Sequence, residues 1–128
     1  MAVTIEEATR WHQDYGRAWE TGDADLIVTL FTENASYRET PFDVPMIGHE
    51  AIRAYWLDQP GNHRDVHFTF EIWGVVGDQC FSHWHTRFEK DHRKRELDGA
   101  FRLIFQQAPG GALKCRILEE WWHQRQTG

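Results

Sequence analysis

Hydrophobic and polar positions follow a mainly helical period in the first half of the chain, interrupted by one strand, and alternate almost throughout the second. Thr4 followed by Glu7 has capping-box spacing, and Ala8, His12, Tyr15, Ala18 and Trp19 then recur on one side. The spacing predicts a helix from about Thr4 to Thr21, ended by Gly22, with Asp23 capping a shorter helix that carries Leu26, Ile27, Leu30 and Phe31. A strand is expected from about Ala35 to Thr40, with Tyr37 and Glu39 on one face. After a loop held by Pro41 and Pro45, Ile52, Tyr55 and Trp56 mark a third helix from His49 to about Asp58, closed by Pro60-Gly61.

From there the chain alternates. Strands are expected over about Asp65–Val75, Gln79–Lys90, Glu96–Gln107 and Leu113–Gln124, separated by Gly77-Asp78, by Asp91 to Arg95 and by Pro109-Gly110-Gly111. In the third of these, Asp98 is out of phase with Phe101, Leu103 and Phe105. A bulge at Gly99-Ala100 would carry Asp98 onto their face. The order α-α-β-α-β-β-β-β predicts an α+β fold in which a curved antiparallel sheet wraps N-terminal helices as a cone-shaped barrel.

The chain's 128 residues fit one domain, expected over residues 1–128, with no repeat or linker. A net charge of −6 argues against nucleic acid, and the densest basic cluster, Arg93-Lys94-Arg95, lies between Asp91 and Glu96 and reads as a solvated hairpin end. Two cysteines make no disulfide framework, and neither a signal-peptide pattern nor an apolar run near twenty residues occurs, so no membrane contact and a cytoplasmic location are expected. Seven Trp and eight Phe are more than so small a core needs, which raises the expectation of a ligand cavity walled by rings.

Glu39, a carboxylate among aromatic neighbours just before a proline, is the candidate proton carrier: pointing into a cavity, its pKa would rise by desolvation. Gly77-x5-His83-x-His85-x3-Glu89 matches most of the first metal motif of cupins. The closing glycine, Gly99, lies too far on, the second half is missing, and three helices precede the sheet. No metal and no cofactor are therefore expected, and His83, His85 and Arg87 fall on the outer sheet face, where they could join a homodimer contact. No Gly-rich phosphate loop or Gly-x-Ser-x-Gly nucleophile motif is present.

Trp19-x-x-Gly22-Asp23, Leu30-Phe31-Thr32-Glu33-Asn34-Ala35, Gly48 with Ile52 and Tyr55-Trp56, Leu97-Asp98-Gly99-Ala100-Phe101 and Glu120-Trp121-Trp122 together resemble the nuclear transport factor 2-like superfamily and its SnoaL-like branch. The resemblance runs from about Ala8 to His123. It implies the cone fold, and a function among isomerases, dehydratases, cyclases, epoxide hydrolases and proteins that only bind. Ketosteroid isomerase within this superfamily has a Tyr, a base before a proline, and a protonated Asp donor. On this chain those positions fall on Tyr15, Glu39 and Asp98, with Glu in place of Asp and Thr40 inserted before Pro41. The resemblance thus implies Glu39 as proton acceptor and Asp98 and Tyr15 as donors. Trp19, Tyr37, Phe42, Tyr55, Phe68, Trp84, Phe88, Phe101, Glu120 and Trp122 are the expected ligand-binding residues. The expected partner is a small apolar organic molecule undergoing acid/base chemistry. A non-catalytic binding or dimerisation module is the alternative, and a metal-dependent enzyme using His83, His85 and Glu89 a third.

Overall fold

The structure, a computed structural model, describes residues 1–127. Helix α1 (Ile5–Thr21) starts at the Thr4–Glu7 capping box and stops at Gly22, whose left-handed conformation (φ 66°) releases the chain into Asp23. The Asp23 carboxylate accepts from the Leu26 N–H at 2.9 Å and caps α2 (Ala24–Thr29). Strand β1 (Phe31–Arg38), a two-residue β2 (Met46–Ile47), α3 (His49–Asp58) and a 3-10 turn at Pro60–Asn62 follow. Four long strands complete the order: β3 (Arg64–Val76), β4 (Gln79–Lys90), β5 (Arg93–Gln107) and β6 (Leu113–Gln126).

One six-stranded sheet, in the order β2-β1-β6-β5-β4-β3, curls around α1 without closing, with β2 and β3 at its edges. The fold is the expected α+β cone, with three differences. The sheet is mixed, because β1 pairs with β6 in parallel. Phe31 begins β1 rather than ending a helix, since its ring is buried against Trp11 and Tyr37 and its backbone pairs with Cys115. The β4–β5 connection is a two-residue turn at Asp91-His92, both at positive φ (53° and 62°), so β5 already starts at Arg93.

The core lies between α1 and the concave sheet face. His12 is buried there as a neutral ring: its Nδ1–H donates to the Ala8 carbonyl at 2.7 Å, and Nε2 accepts from the Ser82 hydroxyl at 2.8 Å. Burial holds its pKa down at about 4.

The expected bulge at Gly99-Ala100 is absent. Pairing runs unbroken from Trp84↔Gly99 to His85↔Asp98 on one side and from Gly99↔Trp122 to Asp98↔His123 on the other; the irregularity in β5 sits at Ile104/Phe105. The inward series is Leu97, Gly99, Phe101 and Leu103, so Asp98 faces out. Gly99 is in phase, but it has no side chain with which to show it. Its space is taken by Trp84: a Cβ at residue 99 would meet Trp84 Cζ2 at 2.6 Å and the Trp121 carbonyl oxygen at 2.7 Å. Gly99→Ala should therefore cost about 1–3 kcal/mol through overpacking. At Gly74, where a Cβ meets nothing within 4 Å, Gly74→Ala should stay within about 0.5 kcal/mol. Urea unfolding of both variants checks the contrast, and equal midpoints would contradict it.

Candidate functional site

The concave face narrows to a cavity of about 40 Å3 between α1, α3 and the ends of β1 and β6, walled by Tyr15, Trp19, Tyr37, Glu39, Tyr55, Trp56, Pro60, His63, Trp84, Leu97, Glu120 and Trp122. Each arrives there by a local rule. Tyr15 and Trp19 are four apart on α1 and share its buried side. Glu120 lies on β6 between Leu118 and Trp122 and takes their inward face. Glu39 follows the last residue of β1, next in the inward series after Tyr37.

The two acids sit in different surroundings. Half-buried Glu39 accepts a hydrogen bond from the Tyr55 hydroxyl at 2.7 Å. Its pKa is raised, chiefly by burial; the Tyr55 bond opposes the rise, and Asp43 adds to it. Glu120 is only 5% exposed. Burial first, and Glu39 second, lift its pKa well above the ordinary carboxylate value, with no offsetting hydrogen bond among the described residues. Burial thus favours the neutral form of Glu120, while the Tyr55 bond offsets part of the rise at Glu39.

Around them stand hydrogen-bond donors. The Tyr15 and Tyr37 hydroxyls bond each other at 3.0 Å, and burial, then Glu120, keeps both phenols protonated. The indole N–H groups of Trp56 and Trp84 are buried without a partner in rings that wall the cavity. The Trp19 N–H donates to His63 Nδ1 at 3.0 Å, and the His63 ring stacks on Phe88 at 3.9 Å. Burial, then the charges of Lys90 and Arg95, hold His63 neutral, with a pKa near 4.

Of the residues singled out from the sequence, the structure brings Glu39, Tyr15, Trp19, Tyr37, Tyr55, Trp84, Glu120 and Trp122 to the cavity. Phe68, Phe88 and Phe101 stand behind it, against Trp19, His63 and Tyr15. Two placements are corrected. Phe42 is 97% exposed in the turn after Pro41, which carries its ring away from the cone. Asp98, with its side chain 59% exposed on the convex face, receives His83 Nε2 at 2.9 Å and lies outside the cavity. Sequence reasoning missed Trp56, Pro60, His63 and Leu97 as wall residues. His63 follows a Pro-Gly break and belongs to no periodic series, so no pattern marks it; Leu97 was hidden by the assumed slip at Asp98.

His83 and His85 do lie on the convex face. His83 also meets Glu71 at 3.3 Å, and His85 pairs with Glu96. No group of three or more metal-ligating side chains forms among the described residues. Trp73, stacked on His83, and Trp121 are exposed on the same face. No described helix is long and apolar enough to cross a membrane.

The SnoaL-like domain family matches residues 12–109. No curated protein matches the sequence. Among solved structures, a conserved protein from Planctomyces limnophilus DSM 3776 is similar at 15% identity and a TM-score of 0.80, over 93% of this chain and 95% of that one. The Δ5-3-ketosteroid isomerase from Mycobacterium sp. is similar at 15% identity and a TM-score of 0.76, over 94% and 98%. SalBIII, an epoxide hydrolase/cyclase-like enzyme of pyran ring formation in salinomycin, is similar at 18% identity and a TM-score of 0.74, over 92% of each. At these identities the likeness is one of fold.

Keeping Glu120 protonated has a consequence for stability. Above about 4.5, its ordinary pKa, the unfolded carboxyl is ionised while the folded one holds its proton. The folded state then binds more protons, and stability falls as pH rises, by up to about 1.4 kcal/mol per pH unit until the folded pKa is reached. Glu120→Gln removes this slope. Urea unfolding from pH 4 to pH 8 should show the variant gaining on the parent steadily above pH 4.5, and parallel curves would contradict a buried neutral acid.

Proposed function

Starting from the chain's membership of the SnoaL-like domain family, we propose that the cavity is the active site of a cofactor-free acid/base enzyme of isomerase, dehydratase or cyclase type. Its proton acceptor is Glu39. The observation that carries the reading is the unequal pair: one carboxyl that can ionise beside a phenol, and one kept neutral, within a single ring-walled space. A pKa raised from the carboxylate range toward neutrality suits a group that must take up and return a proton.

Glu120 takes the donor role that the resemblance gave to Asp98. As a neutral acid it offers an O–H, and the unpartnered Trp56 and Trp84 N–H groups supply further donors without adding charge. Together they suit a carbonyl oxygen that gains negative charge while Glu39 removes a proton from the carbon next to the carbonyl carbon, the C–H pair forming the enolate double bond. Tyr15 stands behind this set, its hydroxyl tied to Tyr37. A ketosteroid isomerase and an epoxide hydrolase/cyclase-like enzyme among the similar folds support that reading.

Size constrains what enters. A cavity of about 40 Å3 admits a few small atoms, against the ~150 Å3 that hold a benzene ring. The substrate therefore enters by a small oxygen-bearing end, its body remaining at the mouth beside Trp122, Pro60 and His63. The same tightness favours a second reading, in which the cone only binds a ligand or a second copy of the chain and the acids are packed core.

Hydrogen exchange separates the two readings without knowledge of the product. In D2O, small ketones and enones should gain deuterium next to the carbonyl in the presence of the protein, followed by NMR. Glu39→Gln should slow that exchange by about 10²–10⁴-fold while the circular dichroism spectrum stays unchanged. No exchange with the parent protein, or full exchange with the variant, rejects Glu39 as the acceptor.

A further inference from the structure

The inward-facing series of the β4–β5 hairpin does not end in apolar residues. On β4 it runs Trp84, Thr86, Phe88, Lys90; on β5 it runs Arg93, Arg95, Leu97, Gly99, with Lys90↔Arg93 and Phe88↔Arg95 in register. Three cations thus continue the cavity wall outward along the concave face. The two-residue turn at Asp91-His92 makes this possible, because it keeps both strands paired to the hairpin's end.

No carboxylate lies within ion-pair distance of Lys90, Arg93 or Arg95 among the described residues, where the ion-paired arginines are Arg17, Arg53, Arg102, Arg116 and Arg125. In a chain of net charge −6, unpaired cations gathered at one rim mark a local reversal of sign. The rim is also concave. One hollow of about 360 Å3 includes Lys90 with Asn62 and Arg64, and a second of about 320 Å3 includes Arg95 with Phe88. The first hollow sets Arg64 and Lys90 against Glu89 and Asp91 and is balanced, whereas the second sets Arg87, Lys94 and Arg95 against Asp65 and Glu89 and keeps a cation in excess.

Both hollows adjoin the cavity. Pro60 walls the cavity while Gly61 and Asn62 wall the first hollow, and His63, a cavity residue, stacks on Phe88 of the second. Lys90 spans the opening, donating to the Gln59 side chain at the end of α3 at 3.3 Å. After burial, the charges of Lys90 and Arg95 are what depress the His63 pKa, so their field reaches the mouth.

We propose that this rim is a binding site for an anionic group, carboxylate or phosphate, on the substrate's outer end. Inward positions along a strand repeat about every 7 Å. Arg95 stands one such step beyond the cavity residue Leu97, so the rim begins where the cavity wall ends. The ligand's orientation rests on the acid/base reading of the cavity; the anion site itself rests on the rim alone.

The test uses three ligands with one body: 4-methylacetophenone, 4-acetylbenzoate and 4-acetylphenyl phosphate. Binding to the full chain is followed by amide shifts of Asn62 and of Lys90 to Arg95 in NMR titrations, which do not depend on turnover. At least one anion should bind roughly tenfold tighter than the neutral ketone, as two or three exposed ion pairs allow. The tighter anion identifies the group preferred. The advantage should vanish in 0.5 M NaCl and in the K90E/R95E variant, and in the milder K90Q/R95Q should charge reversal disturb the fold. Equal dissociation constants for all three, no saturable shift with either anion, or a preference that survives K90Q/R95Q overturns the proposal. Turnover lost only in Glu39→Gln bears on the cavity chemistry and leaves this result apart.

Discussion

A carboxyl group without a partner, held in a closed aromatic space, is the constraint on which the site depends. Glu120 is placed there by the pleat of β6, whose neighbouring inward residues are Leu118 and Trp122. Ionising it in place would put a desolvated charge close to Glu39, so the proton stays on. At Glu39 half-burial raises the pKa and the Tyr55 hydroxyl opposes that rise, an offset Glu120 lacks among the described residues.

The surrounding rings make that arrangement hold. Tyr15 lies edge-on to Trp56 and Phe101, and Trp84 fills the space over Gly99. Large flat side chains exclude water from the acids while leaving N–H and O–H edges for hydrogen bonding. The cost is little internal volume. A cone packed this way receives the tip of a molecule and leaves the remainder at the mouth, where the wall changes from Phe88 and Leu97 to Lys90, Arg93 and Arg95. Apolar depth and a cationic rim on the same two strands suit a ligand built in the same order, from neutral tip to charged end.

Much of this was legible in the sequence, because the signals involved are local. The Thr4–Glu7 box, Gly22, the Asp23 cap and the alternation of β4 are each written within a few residues, and each appears where its pattern puts it. The parallel pairing of β1 with β6 joins residues some eighty positions apart, and no local pattern encodes it. Glu120 was readable by its parity with Leu118 and Trp122. The misreading of Asp98 came from the same rule applied to a glycine. Gly99 occupies an inward position but carries no apolar side chain, so the series looked shifted, and a bulge was needed where the ladder is regular.

That correction bears on how such sites are inferred from a resemblance. A donor acid was expected on β5 because a related fold has one there, whereas the buried acid of this chain stands on β6, the adjacent strand, at a position that also faces inward. The two are not equivalent substitutes. Asp98 on the convex face is solvated and receives His83, away from the cavity. Glu120 stands inside the cone, where burial first and Glu39 second lift its pKa. The role follows the environment rather than the aligned position. A cone can therefore keep a neutral donor opposite a proton acceptor while moving it between strands, provided the strand that carries it turns that residue inward.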